Sequence, residues 1–226
     1  MIIKAFTDMF RLLFFRFQTE DYKNFGKYHL ILGLFFTWLV GMGRYWDHPK
    51  ANIWQHLGVG SVIYIFVLSA FIWLLGKLLK AENWSYIHVL TFTSLTSFPA
   101  ILYAIPVERY YSMDIASNMN VWFLAIVALW RVLLLIFYFR RHGKLGYFAT
   151  TVTTFLPLTL IVSALTALNL DHVIFRIMGG LKPEDKSAND AAYVILIILS
   201  YISVYAFVPL LISFVGLVIH RRWIKK

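Results

Sequence analysis

Arg131 stands inside NVWFLAIVALWRVLLLIFYF, an apolar run at 120–139 that is long enough to cross a bilayer. An arginine at such depth costs on the order of 2.5–3.5 kcal/mol on insertion scales and marks function by default. It sits eight residues before Phe139, where the run ends. At 1.5 Å per residue that is about 12 Å, beyond comfortable snorkelling. A guanidinium held there can form charge-assisted hydrogen bonds to a phosphate, or bonds to neutral oxygens. No Asp or Glu occurs within any apolar run, so its protein partners must be neutral.

Candidates lie at matching depth. Pro157 cannot donate to the carbonyl of Thr153, which leaves that oxygen free. Thr151, Thr154, Thr91 and Ser94 bring hydroxyls to nearby heights, and Pro99 breaks the stretch that carries Thr91 and Ser94. The spacing therefore predicts a polar core of Arg131, Thr91, Ser94, Thr151, Thr153, Thr154, Pro99 and Pro157. Such a core would clamp Arg131 or let it meet a lipid headgroup or small anion. His88, near the start of the same stretch, is expected to hydrogen-bond a neighbouring helix.

A second group gathers at the other ends of the runs: Arg44, Asp47, His48, His56, Glu108, Arg109, Asp114, Asp171, His172 and Arg176. Histidines with carboxylates can bind zinc and activate water. Here there is no HExxH and no repeated histidine motif, so the expectation is a set of interfacial ion pairs without metal or cofactor. Tyr45 and Trp46 in RYWDHP fit an aromatic belt beside them. GxSxG, P-loop and dinucleotide motifs are missing, and the chain has no cysteine. Nothing in the sequence specifies an enzyme.

The elements that must position these residues are membrane spans. The 226 residues are 60% hydrophobic and 14% charged, with the apolar residues in blocks of about 20 between short charged turns. The expected fold is an all-α, polytopic transmembrane helical bundle of about six spans, at 28–46, 55–78, 86–107, 117–139, 147–169 and 191–219. Residues 1–27 precede it as an interfacial amphipathic segment, with Lys4, Asp8 and Arg11 at helical spacing among Phe6, Met9, Phe10, Leu13, Phe14 and Phe17. The membrane domain is placed at 28–220, and 221–226 form a basic tail. A short interfacial helix is expected at 171–178.

The net charge of +10 tracks topology rather than nucleic acid. With the N-terminus inside, the inner segments hold Lys4, Arg11, Arg16, Lys23, Lys27, Lys77, Lys80, Arg140, Arg141, Lys144, Arg221, Arg222, Lys225 and Lys226, fourteen of the 21 basic residues. The outer segments hold Arg44, Lys50, Arg109, Arg176, Lys182 and Lys186. By the positive-inside rule both termini face the cytoplasm, and the protein belongs in the cell membrane.

Two hairpins look alike: LLGKLLKAENWSYIHVLTFTSLTSFPAIL and LLLIFYFRRHGKLGYFATTVTTFLPLTLI each carry an apolar helix, a basic turn and a Ser/Thr-rich return ending at proline. They suggest a parallel repeat about an axis along the membrane normal. In its basic turn, aromatic entry, polar helix and proline, GKLLKAENWSYIHVLTFTSLTSFPAIL resembles the Yip-domain family of small polytopic membrane proteins over about 55–168. The resemblance implies membrane organisation or trafficking without catalysis. It transfers no functional residue: the family usually has five spans, and the DLYGP-type motif of its eukaryotic members is absent.

The reading the residues favour is a non-enzymatic integral inner-membrane protein whose polar core handles a lipid headgroup or small anion, in transport or membrane organisation. A metal-dependent membrane hydrolase with an outward-facing site, and a membrane scaffold for partner proteins, remain as alternatives. The partners expected are membrane lipids, other membrane proteins or a second copy of the chain, and no nucleic acid.

Overall fold

In the computed structural model the described residues are all-helical, and among them five helices are long and apolar enough to cross a membrane. The structure describes residues 1–43, 45–46, 52–167 and 191–224, with the side chains at 108, 113, 114, 117, 165, 191–197 and 223–224 excepted. The helix expected at 171–178 lies outside the described residues.

The helices are α1 (Ile2–Leu13), α2 (Thr19–Lys23), α3 (Lys27–Gly43), α4 (Ile53–His56), α5 (Val59–Leu78), α6 (Tyr86–Leu95), α7 (Met113–Arg141), α8 (Tyr147–Ala167) and α9 (Ala191–Ile224). Two 3-10 segments, Phe98–Ala104 and Val107–Arg109, lie between α6 and α7. At 17 residues α3 is at the lower end of the spanning range, and the other spans fall close to the apolar blocks.

One compact unit comprises Met1–Pro106 with Val127–Thr150. Within it α6 packs on both α3 and α5, and α1 packs on α3. The α3–α6 contact is close because position 33 is glycine: a Cβ there would stand 2.8 Å from the Leu95 nitrogen and strike the Ser94 hydroxyl. Every residue from Val89 to Ser97 is buried, although this stretch holds Thr91, Thr93, Ser94, Thr96 and Ser97. The expected single span at 86–107 is α-helical only to Leu95. Pro99, near the start of the following segment, has no N–H for the α ladder, and the chain continues as a 3-10 helix to Ala104.

The first 25 residues form an arm fixed to this unit. Ala5, Asp8, Met9, Leu12 and Leu13 are the buried face of α1, while Ile2, Ile3, Phe6 and Phe14 are exposed. Of the polar residues at helical spacing, Asp8 is thus turned inward, while apolar residues also face out. After α1 the chain turns at Phe15 with φ of 61°, a left-handed conformation costly for a bulky side chain. Arg141 stabilises that turn by donating to the Phe15 carbonyl at 3.2 Å and to the Phe17 carbonyl. The Trp130 indole N–H donates to the Leu13 carbonyl at 2.8 Å.

The second unit comprises Val107–Ile126 with Thr151–Lys226. In it α8 runs unbroken through the buried Pro157, unlike the return helix α6, which gives up its α form before Pro99. The two similar hairpins thus diverge at their prolines. Much of α9 is exposed and apolar, including Ile198, Ile202, Val208 and Ile212, as a helix facing hydrocarbon requires.

Candidate functional site

The unpartnered buried polarity of the first unit lies at the end of its spans next to the arm. Three local devices build this end. Ser85 caps α6 by accepting from the His88 backbone N–H at 3.2 Å. Glu82 N–H donates to the Gly143 carbonyl at 3.1 Å, and Lys144 pairs with Glu82 at 2.7 Å, so the turn after α5 and the turn after α7 are tied together. That carboxylate raises the Lys144 ammonium above its usual range. Trp84 donates to the Trp73 carbonyl at 2.9 Å and stacks on Phe139, over Gly76, where any Cβ would collide with the indole.

Between these turns and the arm, Tyr22, Trp84, His88, Tyr138 and His142 form one cluster of rings. Tyr138 stacks on Phe92 with centroids 4.0 Å apart and on His142 at 5.0 Å; His142 stands edge-on to His88 at 5.5 Å, and Tyr22 lies 5.5 Å away. The Tyr138 hydroxyl, the His88 Nδ1 and both ring nitrogens of His142 are buried without a hydrogen-bond partner. The expected bond from His88 to a neighbouring helix is therefore not made at Nδ1.

Burial lowers His142 to about 4, and His88 and Lys23 add to the lowering; the Asn83 backbone offsets part of it without reaching hydrogen-bonding geometry. His142 is thus neutral at ordinary pH. Burial also raises the Tyr22 phenol, with Arg141 opposing. At Tyr22 and His142 the cluster therefore offers neutral donors and acceptors rather than charges.

His29, at the start of α3, is the counterpart with partners. Its Nδ1 accepts from the Gly26 N–H at 3.2 Å, which places the proton on Nε2, and Nε2 donates to Asp8 at 3.1 Å. Asp8 also meets Arg11 at 3.4 Å, and Arg11 reaches Asp21 at 3.1 Å. Asp21 in turn accepts from the Gln18 N–H, closing the cap of α2.

The expected polar core looks different once its bonds are traced. Thr91 donates to the Ile87 carbonyl at 2.8 Å and Ser94 to the Thr91 carbonyl at 3.0 Å, so both hydroxyls give their protons to their own helix rather than reaching towards Arg131. Pro99 is buried near the start of the 3-10 segment. Thr153 and Thr154 are buried on α8, Thr151 is exposed, and the Thr154 hydroxyl lacks a partner. Arg131 falls on the α7 stripe of Val127, Leu134 and Tyr138, all buried, and is itself half-buried. Its guanidinium makes no hydrogen bond or ion pair among the described residues.

Of the second predicted group, His56 is half-buried at the end of α4 and Arg109 is exposed. Arg44, Asp47, His48, Asp171, His172 and Arg176 lie outside the described residues, as do the side chains of Glu108 and Asp114. Among the described residues no three His, Cys, Asp or Glu side chains form a metal set.

The Asp8–His29 pair and the His142 cluster were not singled out from the sequence. A signal existed: His29, His88 and His142 all lie within a few residues of helix ends that the charge pattern places on one side of the membrane. Set against family models, curated proteins and solved structures, the chain matches none in any of the three comparisons.

Proposed function

We propose that this multi-pass protein sits in the cell membrane with both termini cytoplasmic and holds an anionic group, a lipid headgroup or a small anion, among its helices without catalysing a reaction on it. Membrane organisation or transport is the role this supports, in keeping with the Yip-domain likeness. The observation that carries the reading is Arg131: a permanent cation on a buried helix stripe, with no protein partner for its guanidinium among the described residues. A charge so placed is stabilised by an anion that reaches it. The orientation rests on the basic residues gathered on one side.

Two measurements test this. The chain has no cysteine, so single-cysteine variants report topology directly. K4C and K144C are expected to label only from the cytoplasm, and K50C and K182C only from outside; the reverse pattern overturns the orientation. Carbon-13 to phosphorus-31 dipolar dephasing of guanidinium-labelled protein in phospholipid bilayers is expected to show a component lost in Arg131→Leu. The same measurement in a phosphorus-free detergent with added inorganic phosphate separates a headgroup from a soluble anion. Dephasing unaffected by R131L in both settings overturns the reading.

A further inference from the structure

The outer face of α1 carries a groove of about 300 Å³ lined by Phe6, Thr7, Phe10, Arg11, Phe14 and Arg16. Its floor is a row of three phenylalanines spaced four residues apart along one helix face, with Phe6 and Phe10 in ring contact at 5.4 Å. Phe14 continues the row and packs against Trp130 at 6.2 Å, so the row rests on α7. At the Phe14 end the left-handed turn at Phe15 brings Arg16 back beside the row. Arg16 is exposed, and its guanidinium has no partner among the described residues; Arg11 shares its charge with Asp8 and Asp21.

We infer that this groove binds one anionic phospholipid, with its phosphate at Arg16 and an acyl chain along Phe6, Phe10 and Phe14. The charge pattern selects this occupant. A soluble anion would use the arginine and leave the phenylalanine row in water, and a neutral lipid would cover the row and leave Arg16 without a counter-charge. A phospholipid of net negative charge satisfies both along one line. Ile2 and Ile3, exposed nearby, extend the apolar surface into the same hydrocarbon. The site is separate from Arg131 and goes beyond the function proposed above, and rests only on its membrane placement.

The test is a titration of the detergent-purified full chain with palmitoyl-oleoyl phosphatidylglycerol and, in parallel, phosphatidylcholine, read by native mass spectrometry. Loss of one charge-assisted hydrogen bond predicts about tenfold weaker phosphatidylglycerol binding for Arg16→Gln, with a smaller loss for phosphatidylcholine, whose phosphate charge is offset by its choline ammonium. Lys80→Gln, which removes an exposed cation elsewhere at the same end, should bind both lipids as the parent does. Phe10→Ser should weaken both lipids, provided its melting temperature stays near the parent's; Phe10→Leu should restore them and covers the case in which the serine variant unfolds. Equal phosphatidylglycerol binding by parent and R16Q overturns the site. So does a dimer that dissociates in R16Q while lipid binding stays constant, since the groove would then hold a second copy. Because binding in detergent does not depend on orientation or on Arg131, failure here leaves the topology and dephasing results standing, and the converse holds.

Discussion

The two sets of buried polar groups in the first unit show how differently polarity can be housed. Along α6 and the two residues after it, five hydroxyls between Thr91 and Ser97 are buried, and each donates to a carbonyl three or four residues back in α6. Only a few reach a neighbour: Ser69 and Thr93 meet between α5 and α6, and Thr37 touches the Ser94 carbonyl at 3.4 Å. At the arm end, Tyr138 and His142 are equally buried and His88 is half-buried, yet four of their buried polar atoms have no partner. A helix supplies acceptors within reach of a short hydroxyl side chain, whereas an imidazole or phenol must find its partner on another element. Residue polarity alone does not locate unsatisfied polarity; side-chain length does much of the sorting.

The sharpest way to break this contrast is acid. His142 is held near 4 in the fold against about 6.5 in the unfolded chain, so between those values the unfolded state binds more protons. Its contribution is fully present above pH 6.5 and is lost as pH falls towards 4, by about 3 kcal/mol at 1.36 kcal/mol per unit. Thermal melting of purified protein in detergent should show this decline, and His142→Phe, which keeps the stacked ring, should flatten it. An unchanged pH profile in H142F would remove His142 as its source.

A smaller effect tests the partnered histidine. Asp8→Ala leaves the Nε2–H of His29 buried without an acceptor, at a cost of about 2 kcal/mol, and frees the arm for proteolysis near residue 15. Asp8→Asn retains an acceptor oxygen and should recover most of the loss. If both variants melt as the parent does, the Asp8–His29 bond is not what holds the arm.

The smallest effect belongs to α6. Thr91→Val and Ser94→Ala each remove a donor together with a bond to a carbonyl that its own helix already satisfies. Each should shift stability by about 0.5 kcal/mol, at the low end for a hydrogen bond. A loss several times larger at either position would show that these hydroxyls hold something beyond their own backbone.

Much of the fold was legible because hydrocarbon imposes blocks of fixed length. The blocks at 86–107, 117–139 and 147–169 match helices beginning at Tyr86, Met113 and Tyr147. Pro99 was readable as a break, but its conversion of the following residues to 3-10 geometry depends on how they pack. The arm was legible as a helix, but not the partner of Asp8: it lies inward because His29, 21 residues later, folds onto it, and no local period encodes such a pairing. His142 escaped notice for the same reason, since its neighbours Tyr22 and His88 come from distant segments. Arg131 was the residue most visible in advance, because one charge in an apolar run needs no partner to be conspicuous.

The clamp that Arg141 places on the arm also imposes an order on biosynthesis. The carbonyl of Phe17 and the guanidinium that binds it are separated by 124 residues of chain. At the usual 5–20 residues per second, the arm therefore waits about 6–25 s after it leaves the ribosome before its clamp exists. Through that interval α1 can already pack on α3, the next long helix made, but the turn at Phe15 lacks the cation that fixes it. The contacts at Leu13, Phe15 and Phe17 form only when the far end of α7 arrives, so one end of the first helix synthesised is among the later pieces to be fixed.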